Sequence, residues 1–154
     1  MAKFNLELPT QVIKDIERIY DNADEIFGEM TRAGAEVVEQ NVKTNIPSNL
    51  SSYVKLTKTY KTPSDGGINT KVYVSGYLPF SGNRTTFSRK GGGGKTYVTT
   101  KGVPADFIAM LYEYGRSSAP FPKHPFLRKS FKKKDIEEAM LRVQKEMTGG
   151  LLDD

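Results

Sequence analysis

The chain has 154 residues, 37% of them hydrophobic, enough for one hydrophobic core and short for two. It has no cysteine, which excludes disulfides, thiol nucleophiles and thiolate metal sites and fits a reducing compartment. The net charge of +5 conceals a partition, because residues 1–50 hold 5 Lys/Arg against 9 Asp/Glu, residues 51–134 hold 16 against 3, and residues 135–154 hold 2 against 6. A basic centre between acidic ends suits nucleic acid, and it suits equally well the acidic ends of neighbouring copies of the same chain.

The N-terminus lacks the basic, apolar, small-residue order of a signal peptide, and no apolar run reaches membrane-spanning length; a protein made and soluble in the cytoplasm is expected. Thr10 after Pro9 is suited to cap a helix. From there Val12, Ile16, Ile19, Ala23, Ile26, Met30, Ala33 and Val37 recur at steps of four and three, with acidic residues filling the other faces. The spacing predicts one long helix over residues 10–44, roughly 50 Å from end to end. That exceeds the width of the domain available to cover it, so part of the stripe is expected to pack on another subunit. The alternative is two shorter helices folded as a hairpin at Gly28.

Pro47 stops the helix. Strands are predicted over residues 51–61 and 68–75, joined by the turn Pro63-Ser64-Asp65-Gly66-Gly67, and a third over residues 95–100. Between them, residues 76–95 form a basic, glycine-rich arm with Gly91 to Gly94 in succession, expected to be mobile in an isolated subunit. Its Arg84, Arg89, Lys90 and Lys95 stand near Phe87 and Tyr97, a mixture compatible with DNA and equally with a partner protein. Pro104 opens a short helix through Leu111 that ends at a turn, Tyr112-Glu113-Tyr114-Gly115. Pro120, Pro122 and Pro125 then stiffen a segment that holds Phe121 and Phe126. The last helix starts near Pro125, with Ile136, Met140, Val143 and Met147 in phase. Leu127 and Phe131 are out of phase with these, which predicts a kink near Lys132. Residues 149–154 are read as a loose tail. The fold class is therefore α+β: a long N-terminal helix and a C-terminal helix packed on a small antiparallel β-sheet with a long mobile glycine-rich β-loop, in a single domain over residues 1–148.

Candidate chemistry is sparse. Gly94-Lys95-Thr96 lacks the glycine five positions earlier, where Arg89 stands, and precedes a strand-like run, so it is not a phosphate loop. His124 is the single histidine, without Cys partners or a serine–acid spacing, and is read as packed or capping. Glu113, the one carboxylate between Asp106 and Asp135, is read as an ion-pair acceptor for Arg116 or Arg128. Lys129, Lys132, Lys133 and Lys134 crowd the start of the last helix, where the dipole disfavours cations, which suggests phosphate or an acidic neighbour as their partner. No catalytic residue, metal site or cofactor is expected.

Asn45-Ile46-Pro47, Tyr112-Glu113-Tyr114-Gly115 and Pro125-Phe126-Leu127-Arg128, in that order, resemble the tail-completion or head-tail joining proteins of long-tailed bacteriophages, the gene-product-ten-like family. The resemblance spans residues 10–147. The chain departs from the family pattern at Arg116, where a small hydroxyl residue is usual, and over Ser48 to Ser52. The resemblance implies a non-enzymatic structural virion protein that forms a ring, by analogy a hexamer, at the head-tail junction. Its implied partners are copies of itself, the tail-tube protein and the head-tail connector or adaptor, with DNA passing through the ring. The implied location is the neck or tail of the virion. Interface residues are then expected at Glu113, Tyr114, Gly115, Arg116, Phe121 and Phe126, and at Arg128, Lys129, Lys132 and Lys133. Arg84, Arg89, Lys90 and Lys95 form the partner-docking or DNA-facing arm. The alternative reading is a basic nucleic-acid-binding module.

Overall fold

The computed structural model describes residues 10–79, 86–88, 96–98, 102–116 and 123–149. In chain order the elements are α1 (Thr10–Asp21), α2 (Ala23–Asn45), α3 (Ser48–Ser51), β1 (Val54–Leu56), β2 (Tyr60–Lys61), β3 (Ile68–Asn69) and β4 (Val72–Val74). They continue with β5 (Tyr77–Leu78), β6 (Thr86–Ser88), β7 (Thr96–Val98), β8 (Val103–Pro104), α4 (Ala105–Tyr114), α5 (Leu127–Ser130) and α6 (Lys133–Thr148). Helices and short antiparallel strands are mixed, as in an α+β protein. The strands form four two-stranded ladders, β1 with β4, β2 with β3, β5 with β8 and β6 with β7, in place of the single small sheet expected.

The leading helix divides at Asn22, and Gly28 lies inside α2, so neither the unbroken helix nor the hairpin at Gly28 is found. The cause is local. Asn22 Nδ2 donates to the Arg18 carbonyl at 2.8 Å, competing with its own backbone N–H, which reaches the same oxygen at 3.2 Å. The helical hydrogen bonding still carries across, because Ile26 N–H donates to the Asn22 carbonyl.

The predicted arm also contains two strands, β5 and β6. β6 pairs with β7 in the register Thr86 to Val98 and Ser88 to Thr96, so the segment read as a mobile glycine-rich β-loop is partly paired strand; Gly91 to Gly94 lie outside the described residues. Residues 51–61 are not one strand, since Ser51 ends α3 and β1 and β2 are separated by residues 57–59. The predicted kink in the last helix is present, as the break between α5 and α6 at Phe131 and Lys132.

The chain divides into two compact units. The first comprises Met1–Val37, Thr57–Lys71 and Lys132–Asp154, the second Val38–Leu56 and Val72–Phe131. In the first, Ile26, Ala35 and Ala139 are buried. A Cβ at Gly34 would meet Ile136 and Met140 at 3.1 Å, so α2 and α6 approach closely at that point. The β2–β3 hairpin is fixed at its turn by Gly67 N–H on Asp65 Oδ1, and Lys61 pairs with Asp24.

The second unit has the larger core, built on Val42, Ile46, Leu50, Val54, Ala105, Ala109 and Phe126. Val38 and Val42 on α2 and Ile46 just beyond its end recur at four-residue steps, and Pro47 then turns the chain so that Leu50 is completely enclosed. Val72 and Val74 of β4 pack on this core, while Tyr73 between them is exposed. Gly102 has φ 99°, and a Cβ there would lie 2.0 Å from the Leu78 carbonyl oxygen, so glycine is required where the chain enters β8 against β5. Phe126 is 2% exposed and belongs to this core. Its truncation in Phe126→Ala is expected to cost about 3–5 kcal/mol, measured by denaturant titration.

Candidate functional site

The chain around Pro125 is anchored by one carboxylate. Ala105, Ala109 and Glu113 recur every fourth residue on α4, so the helical repeat that buries the two alanines also carries Glu113 into the core, where it is 2% exposed. There Glu113 Oε2 accepts from Phe126 N–H at 2.8 Å and from Leu127 N–H at 2.9 Å. These are the first two donors after Pro125, which has none, and no local side chain caps α5. The carboxylate therefore supplies the cap from 13 residues upstream. Arg128 Nε lies 3.7 Å from Glu113 Oε1, but the Arg128 side chain is largely exposed. The expected ion pair with Arg128 exists; the two backbone amides are the closer partners.

Three further bonds close the junction. Ser130, fully buried, donates through Oγ to the Phe126 carbonyl at 2.6 Å and accepts from Asn45 Nδ2 at 3.0 Å. His124 N–H donates to the Tyr112 carbonyl at 2.8 Å, tying the segment back to the end of α4. The His124 side chain is exposed and not packed as expected. Tyr112 to Tyr114 are the last turn of α4, and Gly115, at φ 77°, ends the helix with its N–H on the Leu111 carbonyl. The helix expected to end at Leu111 thus runs on through the predicted turn to Tyr114.

The expected interface residues separate into distinct environments. Glu113 and Phe126 are interior, which corrects their reading as contact residues, since neither side chain is available to a partner in this chain. Tyr114, Arg116, Arg128 and Lys129 are exposed in the second unit, with Gly115 half-buried between the first two. Lys132 and Lys133 belong to the first unit and pair along α6 with Asp135 and Glu137, at 4.0 and 3.4 Å. These local acids offset the cations at the head of α6, so no partner is needed to explain them. Phe121, Arg84, Arg89, Lys90 and Lys95 lie outside the described residues. Among the described residues no three His, Asp or Glu side chains converge as a metal-ligand set, and no helix is long and apolar enough to cross a membrane.

Sequence reasoning missed the pairing of Asn45 with Ser130, which spans 85 positions and carries no local signal. It also missed a surface feature that spacing alone reveals. Phe107, Met110 and Tyr114, at steps of three and four on α4, form an exposed apolar stripe on that helix. No protein-family profile, curated protein or solved structure matches the chain.

The junction generates a graded prediction. Glu113→Ala, which strands one buried and one part-buried amide, is expected to cost about 2–4 kcal/mol, and Glu113→Gln about half as much because an acceptor remains. Arg128→Ala is expected to cost under about 1 kcal/mol, given its exposure. Equal losses for Glu113→Ala and Arg128→Ala in urea unfolding would show that the ion pair, not the cap, is the working contact.

Proposed function

We propose that the chain is a structural protein of a tailed bacteriophage particle, forming a ring at the head-tail junction that joins the tail tube to the capsid connector, as a tail-completion, tail-terminator or neck component. One observation carries the reading. Glu113, in the second segment of the resemblance, accepts from Phe126 and Leu127 in the third, and Asn45, in the first, donates to Ser130, two residues beyond the third. That proximity supports reading the short matches together.

Charge and exposure add support. The first compact unit holds 12 Lys/Arg and 15 Asp/Glu, the second 11 and 3, so the chain carries an acidic and a basic body. Copies related by a closed rotation set unlike surfaces against each other repeatedly. No residue of α1 is buried, and its Ile16 and Tyr20 are open to solvent, as suits a helix whose stripe is completed by another chain. In this reading the partners are further copies of the chain, the tail-tube protein and the connector, with DNA passing through the ring without sequence preference. The location is the neck of the virion, assembled in the host cytoplasm.

The basic unit also favours the alternative, a nucleic-acid-binding module, and salt separates the two. Size-exclusion chromatography with light scattering at about 0.1 and 0.5 M salt, beside a DNA titration, is expected to give multimers of one stoichiometry and only weak, salt-sensitive DNA binding. A monomer that binds DNA tightly and with sequence preference would overturn the proposal.

A further inference from the structure

The two compact units each present an uncovered apolar helix face, and the faces differ in shape. On the first unit, Val12, Ile16 and Tyr20 lie exposed along α1. One turn on, Ile19, Ala23, Phe27 and Met30 with Gln144 and Thr148 of α6 line a groove of about 220 Å³. The stripe on α1 thus runs into a recess. On the second unit, Phe107, Met110 and Tyr114 project from α4, on a different face from Ala105, Ala109 and Glu113, which are buried. One face is a groove and the other a row of large side chains. Contiguous apolar faces of this kind mark contact surfaces.

We infer that α4 of one copy docks into the α1–α2 groove of the next, with Phe107, Met110 and Tyr114 as the inserted side chains. This deepens the ring reading and rests on it. The occupant is a second copy because charge selects it: among the described residues the groove's unit holds 11 Lys/Arg and 12 Asp/Glu, and the stripe's unit holds 6 and 3. Like units repel and unlike units attract, so a groove-to-groove or stripe-to-stripe dimer is disfavoured electrostatically. The contact is heterologous, since each copy offers one groove and one stripe, and it therefore propagates until the rotation closes it into a ring. Large exposed aromatic and Met side chains are the residue types that dominate such contacts.

The test uses two full-length variants, Ile16→Glu in the groove face and Met110→Glu in the stripe, both at exposed positions. Each alone is expected to shift self-association, followed by analytical ultracentrifugation, at least about tenfold to higher concentration. Mixed in equal amounts they retain one intact groove and one intact stripe, so heterodimers are expected but no larger species. Assembly by Met110→Glu alone, with loss only in Ile16→Glu, would mean that α1 pairs with α1 and would overturn the inference. Normal assembly by both variants would overturn it while leaving the ring reading standing, whereas a wild-type monomer at all concentrations would remove both. Because the chain has no cysteine, Ile16→Cys and Met110→Cys copies mixed under mild oxidation provide a second measurement. A cross-linked 16-to-110 dimer is expected, and homodimers of either variant in its place would count against the contact.

Discussion

The structure of the second unit depends on a buried carboxylate holding two backbone amides. After Pro125 the chain must start α5 with no donor from the proline and no local capping side chain. Glu113 meets both free donors from the end of α4. Burying a carboxylate costs several kcal/mol and is recovered only when its oxygens are well bonded. The net gain in stability is therefore modest, and the gain in definition is larger. Phe126 enters the core at one position, and Ser130, one turn on, is brought to Asn45 at the end of α2. The end of the second helix, the exit of α4 and the entry to α5 become mutually dependent.

This dependence explains what was legible beforehand. Apolar spacing located the helical run over residues 10–44 and α6, because helices that bury one face must repeat at three and four residues, and Pro104 marked the start of α4. The break after Phe131 followed from a phase change between Leu127, Phe131 and the later stripe. The role of Glu113 was only half legible. Its arginine neighbour was visible as an opposite charge, while its closer partners are backbone amides, which every non-proline residue possesses and none advertises. Asn22 misled for a related reason: an apolar stripe that keeps its phase says nothing about a side-chain amide bonding the carbonyl four residues back. The sheet was overestimated because runs of β-branched residues predict strands singly, whereas here each strand finds only one partner of two or three residues.

The lysines at the head of α6 illustrate the converse. Read as a run, they demand an external anion; read in three dimensions, Lys132 and Lys133 have Asp135 and Glu137 one turn on. Such exposed pairs contribute little stability, but they lower the local positive potential. The basic character that persists is a property of the second unit as a whole rather than of that helix start. In the proposed ring, it is this separation of charge between two bodies of one chain that gives neighbouring copies a direction.

α1 completes the picture. A helix of 12 residues with no buried side chain has little tertiary packing to hold it, and isolated helices of that length are marginal in water. Its hydrogen bonds continue those of α2 across Asn22, so α2 supplies the nucleus and α1 needs only propagation. Propagation alone leaves a row of apolar side chains in water, at an unfavourable free energy that burial would reverse at roughly 25 cal/mol per Å² covered. Helix formation in α1 and the covering of its face are thus coupled through the same residues. Whatever chain covers Val12, Ile16 and Tyr20 stabilises the helix that presents them, and in the proposed assembly that chain is the next copy.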